Sequence, residues 1–185
     1  MQNGGCESLY GPRRTNETRA EETLLAQFAP TTACENDRPM KVLVTGGAGF
    51  IGSNFVRFMI ADNHDEITIV DSLTYAGSKD TLTDITENPR VQFVKGDICD
   101  RELVASAMAG HEAVVHFAAE SHVDRSINDS DRFVITNCVG TNVMCDVANA
   151  LAVSRFITIS NAETYGSRSQ GSISDNHRLE QSSTP

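Results

Sequence analysis

Glycine spacing supplies the first chemical signal in this chain. In the run Val44-Thr45-Gly46-Gly47-Ala48-Gly49-Phe50-Ile51-Gly52, the residues Gly47, Gly49 and Gly52 satisfy G-x-G-x-x-G. Early glycines of such a run, Gly46 and Gly47 among them, permit a tight turn and the close approach of a pyrophosphate, and the last lets helix and strand pack closely. A β-branched run precedes the glycines and a helical pattern follows, so the helix N-terminus would present unpaired N–H groups to phosphates. Asp71 ends the next β-branched run, near the offset of about 20 residues at which an acidic side chain meets the adenine ribose. A carboxylate there accepts hydrogen bonds from the 2′- and 3′-hydroxyls and repels a 2′-phosphate. With no Arg or Lys in the glycine loop, the pattern favours NAD over NADP. In Gly96-Asp97-Ile98-Cys99-Asp100, Asp97 can meet an adenine amino group and Ile98 can pack on the ring, whereas Asp100 caps the helix that starts at Arg101.

A second chemical signal lies near the other end, in Ile159-Ser160-Asn161-Ala162-Glu163-Thr164-Tyr165-Gly166. One carboxylate, Glu163, follows an apolar run, and the position before it is Ala162. Tyr165 has Ser169 four residues on where a Tyr-x-x-x-Lys pair would need Lys. His116, Glu120, His122, Asp124 and Arg125 crowd around the end of a further strand without metal-ligand spacing, so hydrogen bonding within the loop is their expected role and no metal is expected.

These residues need elements to hold them. Short β-branched runs alternate with helical stretches from Lys41 onward, which is the sequence form of βαβ units and a parallel sheet. The strands read as Lys41–Thr45, Glu66–Asp71, Val91–Lys95, Ala113–Phe117 and Arg155–Ser160. Ile51, Phe55, Phe58 and Met59 recur at helical spacing, as do Phe133, Asn137, Thr141, Met144 and Ala148, giving two helices with one buried face each. Cys138 and Cys145, seven apart on the second of these, read as buried thiols. The fold expected is α/β, a doubly wound parallel Rossmann-type sheet truncated after the fifth strand. Residues 1–39 read as a disordered leader, 40–166 as the dinucleotide-binding domain and 167–185 as a loop-like tail, with Met40 a possible alternative start.

At 185 residues and a formal charge of -10, the chain has the length of one domain and the wrong sign for a phosphate-backbone partner, so no nucleic acid is expected. Five cysteines, an odd number with no C-x-x-C pair, suit a reducing cytoplasm. No apolar run reaches the roughly 20 residues that span a bilayer.

The segments TGGAGFIGSNF, DSLTYAG, KGDICD, VVHFAAESHVDRSI and TNCVGTN occur in that order. With them, residues 40–185 resemble the N-terminal half of the dTDP-glucose 4,6-dehydratase family of extended short-chain dehydrogenase/reductases. The resemblance implies NAD contacts at Phe50 and Ile51, at Asp71, Ser72, Leu73 and Thr74, at Asp97 and Ile98, at Phe117, Ala118, Ala119, Glu120 and Ser121, and at Thr136. It implies dTDP-glucose as substrate, with Ser121 and Asn161 facing the sugar, and a lyase reaction. In that reaction C4 is oxidised by NAD, water is lost across C5 and C6, and the hydride returns to C6. A Tyr-x-x-x-Lys pair serves the first step in the family and an Asp-Glu pair the second, within a motif reading S-T-D-E-V-Y-G.

Here that motif reads Ser160-Asn161-Ala162-Glu163-Thr164-Tyr165-Gly166. The base, Glu163, is kept and the acid is replaced by Ala162, a loss worth about 10²–10⁴-fold in rate. The Tyr-x-x-x-Lys element and the family's C-terminal substrate domain are absent from the sequence. The expectation is therefore an NAD-binding, catalytically impaired relative. Two alternatives are a fragment of an active lyase and a non-enzymatic interaction module using an uncovered edge strand at Phe156, Ile157 and Ile159. Family homodimers join through two helices from each subunit, and only the first, about 131–150, is encoded.

Overall fold

The computed structural model describes residues 38–62, 64–160, 164 and 166. Its strands are β1 (Lys41–Thr45), β2 (Glu66–Asp71), β3 (Val91–Lys95), β4 (Ala113–His116) and β5 (Arg155–Thr158). In chain order the helices are α1 (Phe50–Asp62), α2 (Thr83–Thr86), α3 (Arg101–Met108), α4 (Val123–Asn128), α5 (Ser130–Val134) and α6 (Thr141–Ala150). A 3₁₀ turn, Asp80–Leu82, precedes α2, and a π-helical segment, Ile135–Gly140, joins α5 to α6.

All strand pairings are parallel, in the order β3-β2-β1-β4-β5. Val44 of the central strand lies opposite Ile69 on one side and Val115 on the other. Strand alternation divides the core between the two faces of the sheet. Val42, Val44, Ile67, Ile69, Ala113 and Val115 join Val56 and Met59 of α1 in one cluster. Leu43, Val70 and Val114 join Val104 and Met108 of α3 and Val143, Met144 and Val147 of α6 in the other. Helices on both faces make the sheet doubly wound, as the alternation of runs implied. The first three strands match their expected bounds, while β4 and β5 stop at His116 and Thr158, short of the Phe117 and Ser160 expected from the sequence.

Three expectations need correction. The buried stripe of α1 is Gly52, Ser53, Val56 and Met59, whereas Ile51 and Phe58 are both 62% exposed. The reason is steric: a Cβ on Gly52 would strike the Gly46 carbonyl oxygen, so this residue faces the sheet and its neighbour Ile51 is turned about 100° away. The second long helix is not uniform, because the π segment interrupts it. Gly140 at the end of that segment is buried, and a Cβ there would lie 2.6 Å from Ile98 Cδ1. Lastly, Cys138 and Cys145 are exposed. Core contacts of α6 run through Val143, Met144, Val147 and Ala148, and one step along the helix from Met144 carries Cys145 out of that stripe.

Asp100 caps α3 as expected, accepting from the Glu102 and Leu103 N–H groups. β5 forms one border of the sheet, with Phe156 partly buried against the second cluster and Ile157 and Ile159 exposed. No helix among the described residues is long and apolar enough to cross a membrane.

Candidate functional site

Strand order reverses between β1 and β4, so the loops that follow these strands diverge and leave a crevice at their C-terminal ends, where ligands of open α/β sheets bind. Gly46 stands at the fork with φ of 69°, and a Cβ on it would lie 2.7 Å from the Ala118 nitrogen. Only glycine meets both demands, a left-handed backbone and direct contact with a neighbouring backbone. The fork is tied by Gly46 N–H donating to the Val70 carbonyl at 2.9 Å and Phe117 N–H donating to the Thr45 carbonyl at 3.1 Å. α1 starts immediately beyond, with no acidic residue in its first turn. Its positive end therefore faces the crevice with no carboxylate of its own first turn to offset it.

Asp71 ends β2 and is 9% exposed. One carboxylate oxygen, Oδ2, accepts from Ala48 N–H in the glycine loop at 2.9 Å, and Oδ1 accepts from Leu73 N–H at 2.8 Å. Two of roughly four acceptor positions of an ionised carboxylate are thereby used. Leu73 is held at φ of 56°, a region rare for a bulky residue, and its side chain packs on the first core cluster.

His116 closes β4 at 3% exposure. Its Nδ1 lies 2.6 Å from Thr45 Oγ1 and its Nε2 lies 3.2 Å from Thr141 Oγ1. Thr45 Oγ1 also accepts from Ala118 N–H at 3.2 Å. The imidazole thus joins β1, β4 and α6 directly beneath the fork, and burial pushes its pKa down to about 4. Glu120, 7% exposed, accepts from the Tyr75 hydroxyl at 2.9 Å and from Arg132 Nε at 2.8 Å. Glu120 thus bonds to residues around the loop after β4, whereas the His116 contacts run to β1 and α6.

A cavity of about 750 Å³ opens over the fork, within the range of about 300–1,000 Å³ typical of ligand pockets. From the glycine loop and α1 it is lined by Gly46, Gly49, Phe50, Ile51 and Gly52, and from the loop after β2 by Asp71, Ser72 and Thr74. Asp97 and Ile98 line it after β3, Phe117, Ala118, Ala119, Glu120 and Ser121 after β4, and Thr136 from the π segment. Gly47 and Leu73, expected at the same site, do not line it. A Cβ on Gly47 would instead meet Ile69 Cγ2 at 2.6 Å, so that glycine is spent on packing against the sheet. Ile159 and Ser160 reach the cavity from the end of β5. Glu163 and Asn161, expected to act on and bind substrate, lie outside the described residues, as do Ala162 and Tyr165.

Ala76 and Gly77, within the DSLTYAG segment but not among the expected contacts, also line it from the loop after β2. Asp129, Asp131, Arg132 and Ile135 line it from α5 and the residues flanking it, and no motif marked them.

The family model described as GDP-mannose 4,6 dehydratase matches residues 43–184. The chain belongs to this family. It is 49% identical over 140 residues to the low-salt glycan biosynthesis protein Agl12 of Haloferax volcanii, a match covering 76% of this chain and 45% of that protein. It is 47% identical over 146 residues to a dTDP-glucose 4,6-dehydratase of an Actinoplanes strain, covering 76% and 46%. Among solved structures it is similar to DesIV, a dTDP-glucose 4,6-dehydratase of Streptomyces venezuelae crystallised with NAD bound. That match has a TM-score of 0.74 and 46% identity and covers 77% of this chain and 46% of that one. The resemblance read from the motifs is thereby confirmed, and the chain spans under half the length of the relatives it matches.

The His116 network makes a prediction about acid stability. The unfolded imidazole titrates near 6.5 and the folded one near 4, so between these values the unfolded state binds a proton that the native state does not. Stability conferred by neutral His116 is complete above pH 6.5 and is lost as pH falls toward 4, at up to about 1.4 kcal/mol per pH unit. Urea unfolding at pH 7, 6 and 5 should show His116→Gln less stable at pH 7 but with a flatter decline than the parent. Parallel declines in the two proteins would contradict this account.

Proposed function

We propose that this chain carries the NAD-binding half of a dTDP-glucose 4,6-dehydratase, and that its capacity for the dehydration step is impaired. The observation that carries the cofactor reading is Asp71, whose carboxylate grips the glycine loop through Ala48 N–H while lining the cavity. The residues fit a dinucleotide. Gly46 and Gly49 border the cavity beside the first turn of α1, where the unpaired N–H groups of a helix N-terminus suit a pyrophosphate. Acceptor positions on Asp71 remain for ribose hydroxyls, Asp97 and Ile98 line the far wall where an adenine would rest, and the glycine loop itself contains no Arg or Lys to favour a 2′-phosphate. The related dehydratase of Streptomyces venezuelae, crystallised with NAD bound, supports the same assignment.

NAD, when bound, supplies the hydride acceptor for C4 of a nucleotide sugar. Ser121 lines the cavity next to Glu120 and is assigned to the sugar side, with Asn161 as its counterpart in the segment following Ser160. Glu163 is assigned as the base that removes the C5 proton. Ala162 beside it has no proton to give the departing C6 hydroxyl, so elimination proceeds without general acid assistance and is slowed by about 10²–10⁴-fold.

Two measurements test these assignments. By calorimetry the chain should bind NAD saturably and NADP at least about tenfold more weakly, and Asp71→Asn should weaken NAD about tenfold while narrowing that gap, the scale of one hydrogen bond to a charged group. Unchanged affinities for both dinucleotides in Asp71→Asn would remove the ribose assignment. In single-turnover assays with dTDP-glucose, the dehydrated 4-keto-6-deoxy product should form at least about 10²-fold more slowly than in a relative with Asp at the position of Ala162. A matching rate would contradict the impairment.

A further inference from the structure

Three walls of the cavity meet at one buried carboxylate. The side chain of Glu120 is 5% exposed, and both of its oxygens are engaged by protein: the Tyr75 hydroxyl donates to Oε2 at 2.9 Å and Arg132 Nε donates to Oε1 at 2.8 Å. Its backbone is held as firmly, with its N–H donating to Asn137 Oδ1 at 2.8 Å and its carbonyl accepting from Asn137 Nδ2 at 2.9 Å. Tyr75 belongs to the loop after β2, between the cavity residues Thr74 and Ala76, and its ring lies under the Arg125 guanidinium at 3.6 Å. Arg132 sits on α5 and lines the cavity itself, and Asn137 follows the lining residue Thr136.

A carboxylate this buried is costly to keep unless it is paired and hydrogen-bonded. Here the pairing joins three separate segments, the loop after β2, the loop after β4 and α5. The loop after β2 is also held near its ends, by Leu73 N–H donating to Asp71 and Ser78 N–H donating to the Ala48 carbonyl, and the Tyr75 ring meets the Arg125 guanidinium and the His122 ring. Tyr75, at the middle of that loop, is fixed across the crevice to Glu120. Glu120 lines the cavity, and its carboxylate oxygens are directed at Tyr75 and Arg132.

We propose that Glu120 is a positioning residue that clasps the loop after β2, the loop after β4 and α5 to one another along the outer side of the cavity, setting its width and slowing the escape of a bound dinucleotide. This inference rests on the reading of the cavity as an NAD site. Tyr75→Phe removes one bond of the clasp while keeping the ring under Arg125, and Glu120→Gln keeps the shape while removing the charge that Arg132 meets.

The test uses the full chain, the two variants and their combination. NADH release is followed by fluorescence on displacement with excess NAD, and amide hydrogen exchange is measured without ligand. Each single variant should release NADH about tenfold faster, and the double variant little faster than either single one, because both changes break the same clasp. Exchange over residues 72–77 should accelerate about tenfold in each variant, with the amides of β1 and β4 unchanged, a pattern that a general loss of stability would not give. Additive release rates in the double variant, or parent-like exchange at 72–77, would overturn the proposal. If the parent chain takes up no NADH, the cofactor reading fails, and the exchange experiment still decides whether the clasp exists.

Discussion

Backbone meets backbone where β1 and β4 part, and the approach of Gly46 to Ala118 leaves no room for a Cβ. Most other features of the crevice follow from this contact. Because the glycine loop must hug the end of β4, α1 starts directly behind it, and Gly52 has to face inward against the Gly46 carbonyl. That orientation fixes the rotation of α1, places Val56 and Met59 on the sheet and leaves Ile51 at the cavity rim. His116 and Thr45 then brace the fork from beneath, through a neutral imidazole that the buried site keeps uncharged.

Asp71 plays the matching part on the other side. It is at once the cap that holds Ala48 and Leu73 in place and a carboxylate facing the cavity. Linking the two jobs in one side chain means that the position of the carboxylate is set by the same bonds that shape the loop. A site built this way is preorganised, since little remains to be ordered when a ligand arrives. The positive φ at Leu73 is a local cost, offset by the bond to Asp71 and by burial of the leucyl side chain.

Much of this was legible in the sequence because the signals were local. Five β-branched runs announced five strands, the glycine spacing announced the fork, and Asp71 and Asp100 were recognisable from their place at the end of a strand and the start of a helix. What could not be read depended on rotation and on distant partners. The helical spacing of Ile51 and Phe58 suggested a buried face, but the packing of Gly52 turned the helix away from it. A regular helix through Cys138 and Cys145 gave no hint of the π segment, whose phase and burial depend on Ile98 and Glu120 in other parts of the chain. Glu120 itself was identifiable as a residue near the site, but its partners Tyr75 and Arg132 lie far from it along the chain or on a helix without a motif.

The account stands on a dinucleotide occupying the fork between β1 and β4, and a crystal structure of the chain grown with saturating NAD tests this most directly. The pyrophosphate should lie over the first turn of α1 beside Gly46 and Gly49, with the adenine ribose hydroxyls within hydrogen-bonding distance of Asp71 and the adenine against Ile98. A fork empty at saturating NAD, or a dinucleotide bound away from Asp71, would contradict the account.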